Sequence, residues 1–335
     1  MLSIQFERFG EPTEVLQVVD VPVPEPKTNQ VLIRMRVRPV HSSDLHIMRG
    51  RYGILPPLPI SPGIEGMGVI ESLGEGVQGF HVGQRVIPFN SWGCWQEYLV
   101  ADASRLLLVP DTVSDEMAAQ LIINPMTAWV MLTQELQVER GEWLVQTAAN
   151  SAVGRLVIQL SQILGLKTIN IVRSREQVQG LLDMGADEVI CSADENVVER
   201  IAQITGSTGV GKAMDSVAGQ VGADVLQSLR FGGVMLQYGA LSTHGQTDPG
   251  KMILPVFAPK MIYGVTSVRG WWIYPWLSSV SLEEARGIAN QLLSLMAQGR
   301  IVLGSGQAFA LADAKQAVRY AQQAQRQGGK ALLVG

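Results

Sequence analysis

The stretch QTAANSAVG, Gln146–Gly154, ends a continuous apolar run, EWLVQTA, and opens an amphipathic one, GRLVIQLSQILGL. Strand, tight loop and helix in that order form the first turn of a βαβ unit. There, backbone N–H groups at a helix N-terminus can approach a pyrophosphate. Side chains obstruct that approach, which is why glycine is usual, yet this stretch holds one glycine. Its spacing reads Ala148-x-x-Ser151-x-x-Gly154. Alanine and serine are the next smallest choices, Ser151 adds a hydroxyl donor, and Gly154 keeps the place where helix and sheet touch most closely. A degenerate loop of this kind also fits a plain strand–loop–helix corner. Its location favours phosphate binding, because a second buried strand, TINIV, follows and ends at Val172.

That second strand runs into VRSRE. A fold that binds NAD places Asp or Glu here for the ribose 2′-hydroxyl. Arg173, Ser174 and Arg175 stand there instead, and two guanidinium forks match a 2′-phosphate. The residues therefore point to NADPH rather than NADH, against the plainer reading of a solvated pair of loop charges.

Beyond this corner, strand and helix alternate: EQVQGLLDMG leads to ADEVICS, NVVERIAQITG to VGKAMDSVA, and GADVLQSLRF to GGVMLQYGA. This is the pattern of an α/β, Rossmann-type, doubly wound parallel sheet. The first hundred residues read differently, as short strands broken by Gly and Pro. Val31–Val40 alternates in the strand manner, and GMGVIESLGEGV and GQRVIPF are further apolar runs between turns. They predict a small, partly open β-barrel. Near Ser114 the texture turns helical, with N-cap residues in DTVSD ahead of DEMAAQLIINPMTAWVMLTQE. The tail adds a helix, a strand, a helix and a last strand expected to rejoin the first domain. The expected division is 1–118 with 270–335 as the catalytic domain, and 119–269 as the dinucleotide domain.

Bulk composition narrows the function classes. A chain of 335 residues exceeds what one core usually fills. With 47% hydrophobic and 17% charged residues it reads as compact and soluble. A net charge of −4 and a pI near 5.7 argue against a nucleic-acid partner. Charges, Gly or Pro interrupt every apolar run, so no membrane span is expected. MLSIQFERFG lacks the pattern of a secretory signal. Cys94 and Cys191 stand without metal-type spacing and suit the reducing cytoplasm.

The segment SSDLHIMRGRYGILPPLPISPGIEGMGVIESLGEGVQGFHVGQRV, the loop described above, and the closing GGKALLV resemble the medium-chain dehydrogenase/reductase superfamily over nearly the full length. NPMTAWVML (Asn124–Leu132), AANSAVG, TINIVRSR and RGWWIYPW (Arg269–Trp276) are most similar to the mitochondrial-type 2-enoyl thioester reductases of its zinc-free branch. The quinone oxidoreductases come next. The resemblance implies a GroES-like barrel domain and a nucleotide domain, with the active site in the cleft between them. It also implies cofactor contacts. Asn124 and Thr127 would face the nicotinamide side, and Asn150, Ser151, Ala152 and Val153 would hold the pyrophosphate. Tyr238, Gly239, Ala240 and Leu241 would meet the nicotinamide ribose and ring, and Lys330 would lie at the cleft edge.

Zinc members of the superfamily use three ligand positions, which here look like His41, Ile64 and Asn124. Isoleucine has no donor, so the expectation is a site with no zinc. In zinc members the metal stabilises the alkoxide for alcohol oxidation; a metal-free site is better suited to acceptors that are already electrophilic, such as a conjugated carbonyl, an acyl thioester or a quinone. Such a site needs a hydrogen-bond donor for the enolate oxygen and a proton source. The resemblance offers Tyr52, in RGRYG, as the acid or as a pocket wall, and Trp272 beside nicotinamide and substrate. His41 reads as a cleft-edge or packing histidine. Zinc-free relatives commonly carry Asn-Pro where His41-Ser42 stands, and that departure opens a polar role for it.

The leading function is an NADPH-dependent 2-enoyl thioester reductase. An NADPH:quinone oxidoreductase is the alternative, and a non-catalytic NADPH-binding protein is the third reading. The thioester reading expects Arg49 and Arg51 to meet the acyl carrier's phosphates. A homodimer is expected through edge strands of the dinucleotide domain, with Met261–Val268 as the edge.

Overall fold

A computed structural model of the chain describes residues 1–243, 246, 248–304, 306–323 and 329–335. Gly328, the first residue of the GGKALLV motif, lies outside them. The chain divides into two compact units, Met1–Ile123 with Val280–Gly335, and Asn124–Ser279. Relative to the division read from the sequence, 119–123 group with the first unit and 270–279 with the second. The second shift has a visible cause. The Trp271 N–H donates to the Gln237 carbonyl at 2.9 Å, and Trp276 Nε1 donates to Gln134 Oε1 at 2.9 Å.

The first unit opens with strands β1 (Leu2–Gln5), β2 (Gln17–Asp20), β3 (Gln30–Pro39), β4 (Met67–Leu73), β5 (Arg85–Pro88), β6 (Tyr98–Asp102) and β7 (Leu106–Leu108). The second unit supplies β8 (Trp143–Gln146), β9 (Lys167–Val172), β10 (Glu188–Cys191), β11 (Val210–Asp215), β12 (Leu229–Gln237) and β13 (Ser267–Gly270). The chain then returns to the first unit with β14 (Gln307–Ala310) and β15 (Ala331–Val334).

In the first unit the main sheet runs β14-β15-β3-β4-β5-β7, and β6 pairs with β3. Ile33 lies opposite both Ile70 and Leu99, so the middle of β3 is covered on both edges. Val31, Ile33, Met35, Ile70, Val86 and Leu106 pack into one core. The returning tail adds β15 antiparallel to β3, with Leu333 opposite Arg38. Short antiparallel strands around a common core are the partly open barrel that the Gly/Pro-punctuated sequence predicts.

The second unit carries a six-stranded sheet in the order β10-β9-β8-β11-β12-β13, parallel throughout. Both faces of such a sheet are covered by helices, so its strands read as unbroken apolar runs. Val145, Ile169, Ile190, Ala213 and Met235 accordingly share one core. The strand order reverses between β8 and β11, which makes the end of β8 the topological switch point where ligands bind in this architecture. The quoted loop leaves the sheet there.

Two local expectations change. Residues 115–135 form a short helix, Asp115–Ala118, and a second, Asn124–Val130, followed by a π-turn segment, Met131–Glu135. Ser114 caps the first, accepting the Met117 N–H at 3.3 Å, and Pro125 suits the opening turn of the second. Met261–Val268 is not an edge strand over its length. Met261–Gly264 finishes the helix Ala258–Gly264, which Pro259 starts, and only Ser267 and Val268 enter β13.

Candidate functional site

The loop after β8 has the backbone of a glycine-rich turn without its glycines. Ala148 adopts a left-handed φ of 48°, a conformation glycine takes at no cost. Ser151 caps the helix Ala152–Leu164, its Oγ accepting the Gly154 N–H at 3.1 Å. A Cβ on Gly154 would lie 2.5 Å from the Ala149 carbonyl oxygen, so only glycine fits at that contact. The first residue of the stretch bonds the last: Gln146 Nε2 donates to the Gly154 carbonyl at 2.9 Å and to Asn170 Oδ1 at 2.7 Å. Asn150 is exposed and accepts from Arg155 at 3.0 Å. Asn150, Ser151, Ala152 and Val153 thus surround one helix N-terminus, whose N–H groups and dipole favour an anion.

A buried carboxylate that the sequence reading did not single out braces this corner. Asp215, at the end of β11, accepts from the Thr147 hydroxyl and from the Val217 and Ala218 N–H groups, both at 2.9 Å. Thr147 Oγ1 in turn accepts the Ser216 N–H at 3.0 Å. The signal was an aspartate ending the mostly buried strand VGKAMD.

Arg173, Ser174 and Arg175 follow the C-terminal end of β9, the strand beside β8. Arg173 and Arg175 are exposed. Arg175 Nε donates to Asp194 Oδ2 at 2.8 Å, and that guanidinium holds the Asp194 carboxyl below its usual range. Tyr238–Leu241 follows the end of β12. The Tyr238 hydroxyl is buried, and burial pushes it up to about 12. Gly239, Ala240 and Leu241 remain partly open to solvent. Trp272 follows β13, half-buried, with its ring 5.3 Å from that of Tyr274. Asn124 and Thr127 belong to the helix Asn124–Val130, where Asn124 is partly exposed and Thr127 is buried. The expected loop, basic corner, YGAL segment and Trp272 therefore share the C-terminal end of one sheet.

Tyr52, His41 and Lys330 belong to the first unit. Tyr52 is half-buried on the loop after the helix Ser42–Met48. Arg49, expected at an acyl carrier's phosphates, instead forks onto Glu11, with Nε and Nη2 at 3.1 and 3.0 Å from its oxygens. Arg51 is exposed. His41 is buried and bonds Glu65 through Nε2, while Lys330 Nζ lies 2.7 Å from Nδ1 and 3.1 Å from Nε2. Glu65 Oε2 accepts the Ile122 and Ile123 N–H groups, each at 2.9 Å. Asp44, wholly buried, accepts the His41 N–H at 2.8 Å, and burial raises it to about 7. Gly63 has φ 102°, and a Cβ there would meet the Trp95 ring at 2.4 Å. That turn delivers Glu65 to the cluster. The sequence signal for Glu65 was a lone carboxylate inside the apolar run PGIEGMGVI.

Two family models match the chain: the alcohol dehydrogenase GroES-like domain over residues 27–111 and the zinc-binding dehydrogenase over 152–285. A mitochondrial enoyl-[acyl-carrier-protein] reductase of Arabidopsis thaliana is 33% identical over 304 residues, covering 89% of this chain and 79% of that protein. A Bacillus thuringiensis protein, provisionally assigned as an NADPH:quinone reductase, superposes with a TM-score of 0.92 at 34% identity, covering 100% of this chain and 98% of its own. The Escherichia coli quinone oxidoreductase complexed with NADPH gives a TM-score of 0.87 at 26% identity, with both chains fully covered. The chain belongs to the medium-chain dehydrogenase/reductase superfamily. It is an oxidoreductase of the branch that contains enoyl thioester and quinone reductases.

The superfamily's catalytic zinc does not fit these residues. Ile64 is buried and has no donor, and His41 is engaged with Glu65 and Lys330. Among the described residues no group of three or more His, Cys, Asp or Glu is arranged to hold a metal. A phosphorylated dinucleotide does fit: Gly154 and Ala148 leave the loop backbone open, and a basic corner closes the adjacent strand.

Proposed function

We propose that this superfamily member is an NADPH-dependent, zinc-independent reductase of conjugated C=C bonds, with 2-enoyl thioesters as substrates. The observation that carries the reading is the fate of the three metal-ligand positions, with an isoleucine in the middle and a histidine committed to a carboxylate and a lysine. NADPH, when bound, supplies a hydride. Asn150–Val153 hold its pyrophosphate against the helix N-terminus, and Arg173 and Arg175 hold the 2′-phosphate. Trp272 limits the space beside the ring. Tyr52 donates a hydrogen bond to the substrate.

The test is a steady-state panel of NADPH oxidation with a crotonyl thioester, a simple enone, and ortho- and para-quinones. The thioester is expected to turn over best. Turnover on quinones alone moves the assignment to the quinone reductase reading, which the solved structures named above favour. Tight NADPH binding without turnover on any acceptor would make the chain a binding protein.

We also propose a homodimer. Phe231, Phe257, Ile262, Tyr263 and Val265 are 59–80% exposed in the second unit, whose terminal strand is β13. Apolar exposure near an unpaired edge favours self-association, and a monomeric mass by light scattering rules it out. Cys94 and Cys191 are buried free thiols, which supports placement in the reducing cytoplasm.

A further inference from the structure

Ala218, on the turn that follows β11, has φ 61° and ψ −157°, a backbone conformation that is essentially reserved for glycine. Strain of that kind persists where the surroundings over-determine it. Here they do so through the Asp215 carboxyl, which is wholly buried. Its Oδ2 accepts the Ala218 N–H, and its Oδ1 accepts the Val217 N–H and the Thr147 hydroxyl. The turn opens the helix Gly219–Gln227, in which Gly222 leaves room for the carboxyl: a Cβ there would lie 2.4 Å from Oδ2.

That turn carries the segment after β12. The Leu241 N–H donates to the Ser216 carbonyl at 2.8 Å, and the Ser242 N–H to the Val217 carbonyl at 3.0 Å. The Ser242 hydroxyl donates to the same Val217 carbonyl at 2.6 Å. A Cβ on Gly239 would lie 3.1 Å from Ser216, so the two segments run in close contact. Tyr238–Leu241 thus rests on residues 216–218, whose three N–H groups end on Thr147 and Asp215. The phosphate loop has anchors of its own. The Ala149 N–H donates to the Ile171 carbonyl at 3.1 Å, and the Gln146 amide ties Gly154 to Asn170. Thr147 is where the two walls meet.

We infer that Asp215 is a positioning residue that sets Tyr238–Leu241 against the phosphate loop, and so places the nicotinamide-ribose half of a bound dinucleotide relative to its adenosine half. The inference rests on the NADPH reading above. The two halves meet walls with different supports. The adenosine side stands on β8 and β9, and the other side stands on the Asp215 carboxyl. Asp215 acts through the backbone of residues 216–218 and needs no contact with the ligand. Removing one of its acceptor oxygens leaves a buried donor unpaired and frees the strained turn to relax. The adenosine half then keeps its place while the other half loses its wall.

The test compares the whole ligand with one half of it. The full-length wild type, Asp215→Asn, Thr147→Val and Thr147→Ser are titrated by calorimetry with NADPH and with adenosine 2′,5′-bisphosphate, which lacks the nicotinamide half. Asparagine keeps one acceptor oxygen and turns an NH2 group toward a donor. Asp215→Asn is expected to weaken NADPH by on the order of tenfold to a hundredfold, and the bisphosphate by no more than about twofold. Thr147→Val should show the same selective loss, by about tenfold, and Thr147→Ser, which restores the hydroxyl, should recover most of it. Equal losses for the two ligands would make Asp215 a brace for the phosphate loop and overturn the inference. A lowered melting temperature with unchanged NADPH affinity would reduce it to scaffolding, also overturning it. If Asp215→Asn prevents folding, the Thr147 pair decides alone. A wild-type protein that binds neither ligand sinks the cofactor reading itself, and the inference falls with it.

Discussion

Glu65 is 1% exposed with both oxygens engaged, whereas Arg175 is 79% exposed and is held by a half-exposed Asp194. The first unit thus buries and pins the Glu65 carboxylate, whereas the basic corner of the second unit lies at the surface of a strand end. The buried group is held by fixed partners on both oxygens, so its surroundings decide its position. The exposed arginines keep their charge in any surroundings and gain little from the surface pair. One region holds its charge fixed in the interior, and the other leaves it exposed.

Asp44 offers the largest effect with which to break that contrast. Its carboxyl faces the His41 and Gly63 N–H groups, Lys330 and Glu65, and burial still raises it to about 7. In the unfolded chain it titrates near 3.9. Between those values the native state keeps a proton that the unfolded state has lost. Its contribution to stability therefore falls as pH rises from about 4 to about 7, then levels off. The total change is on the order of 4 kcal/mol. Asp44→Asn cannot ionise, so its melting temperature relative to wild type should climb across that window. Parallel melting curves for the two proteins between pH 4.5 and 8 would mean that burial does not govern this group.

Next in size is Gly154→Val, which tests whether the second unit's site has any fixed interior of its own. The added atoms would press on the Ala149 backbone, 2.5 Å from its carbonyl oxygen. The expected cost is about 3 kcal/mol in chemical denaturation, together with loss of dinucleotide binding. A variant with wild-type stability and affinity would show that the loop yields. The smallest effect sharpens the exposed side. The double variant Arg173→Ala/Arg175→Ala should weaken NADPH by on the order of tenfold or more, while NADH changes by no more than about twofold. Its melting temperature should match wild type within about a degree. Equal losses for the two cofactors would remove the 2′-phosphate assignment.

The exposed corner was legible because its parts are close in sequence. VRSRE carries both guanidinium groups within three residues of a predicted strand end, and QTAANSAVG carries the cap and the tight contact within one turn. The buried cluster was not legible. His41 and Lys330 are 289 residues apart, and Glu65 and the Ile122 amide 57 apart. These contacts join distant segments, so no local motif encodes them. The contact of Arg49 with Glu11 was hidden for the same reason, since Glu11 lies 38 residues away.

By itself the sequence determined the layer architecture, the order of strand and helix, and the loop chemistry at the switch point. Each of these depends on periodicity and on residues within a turn of one another. Only the tertiary structure decided which charges meet, which are buried and which proton each holds. Those depend on contacts between distant segments and on the dielectric that the packed chain creates around them.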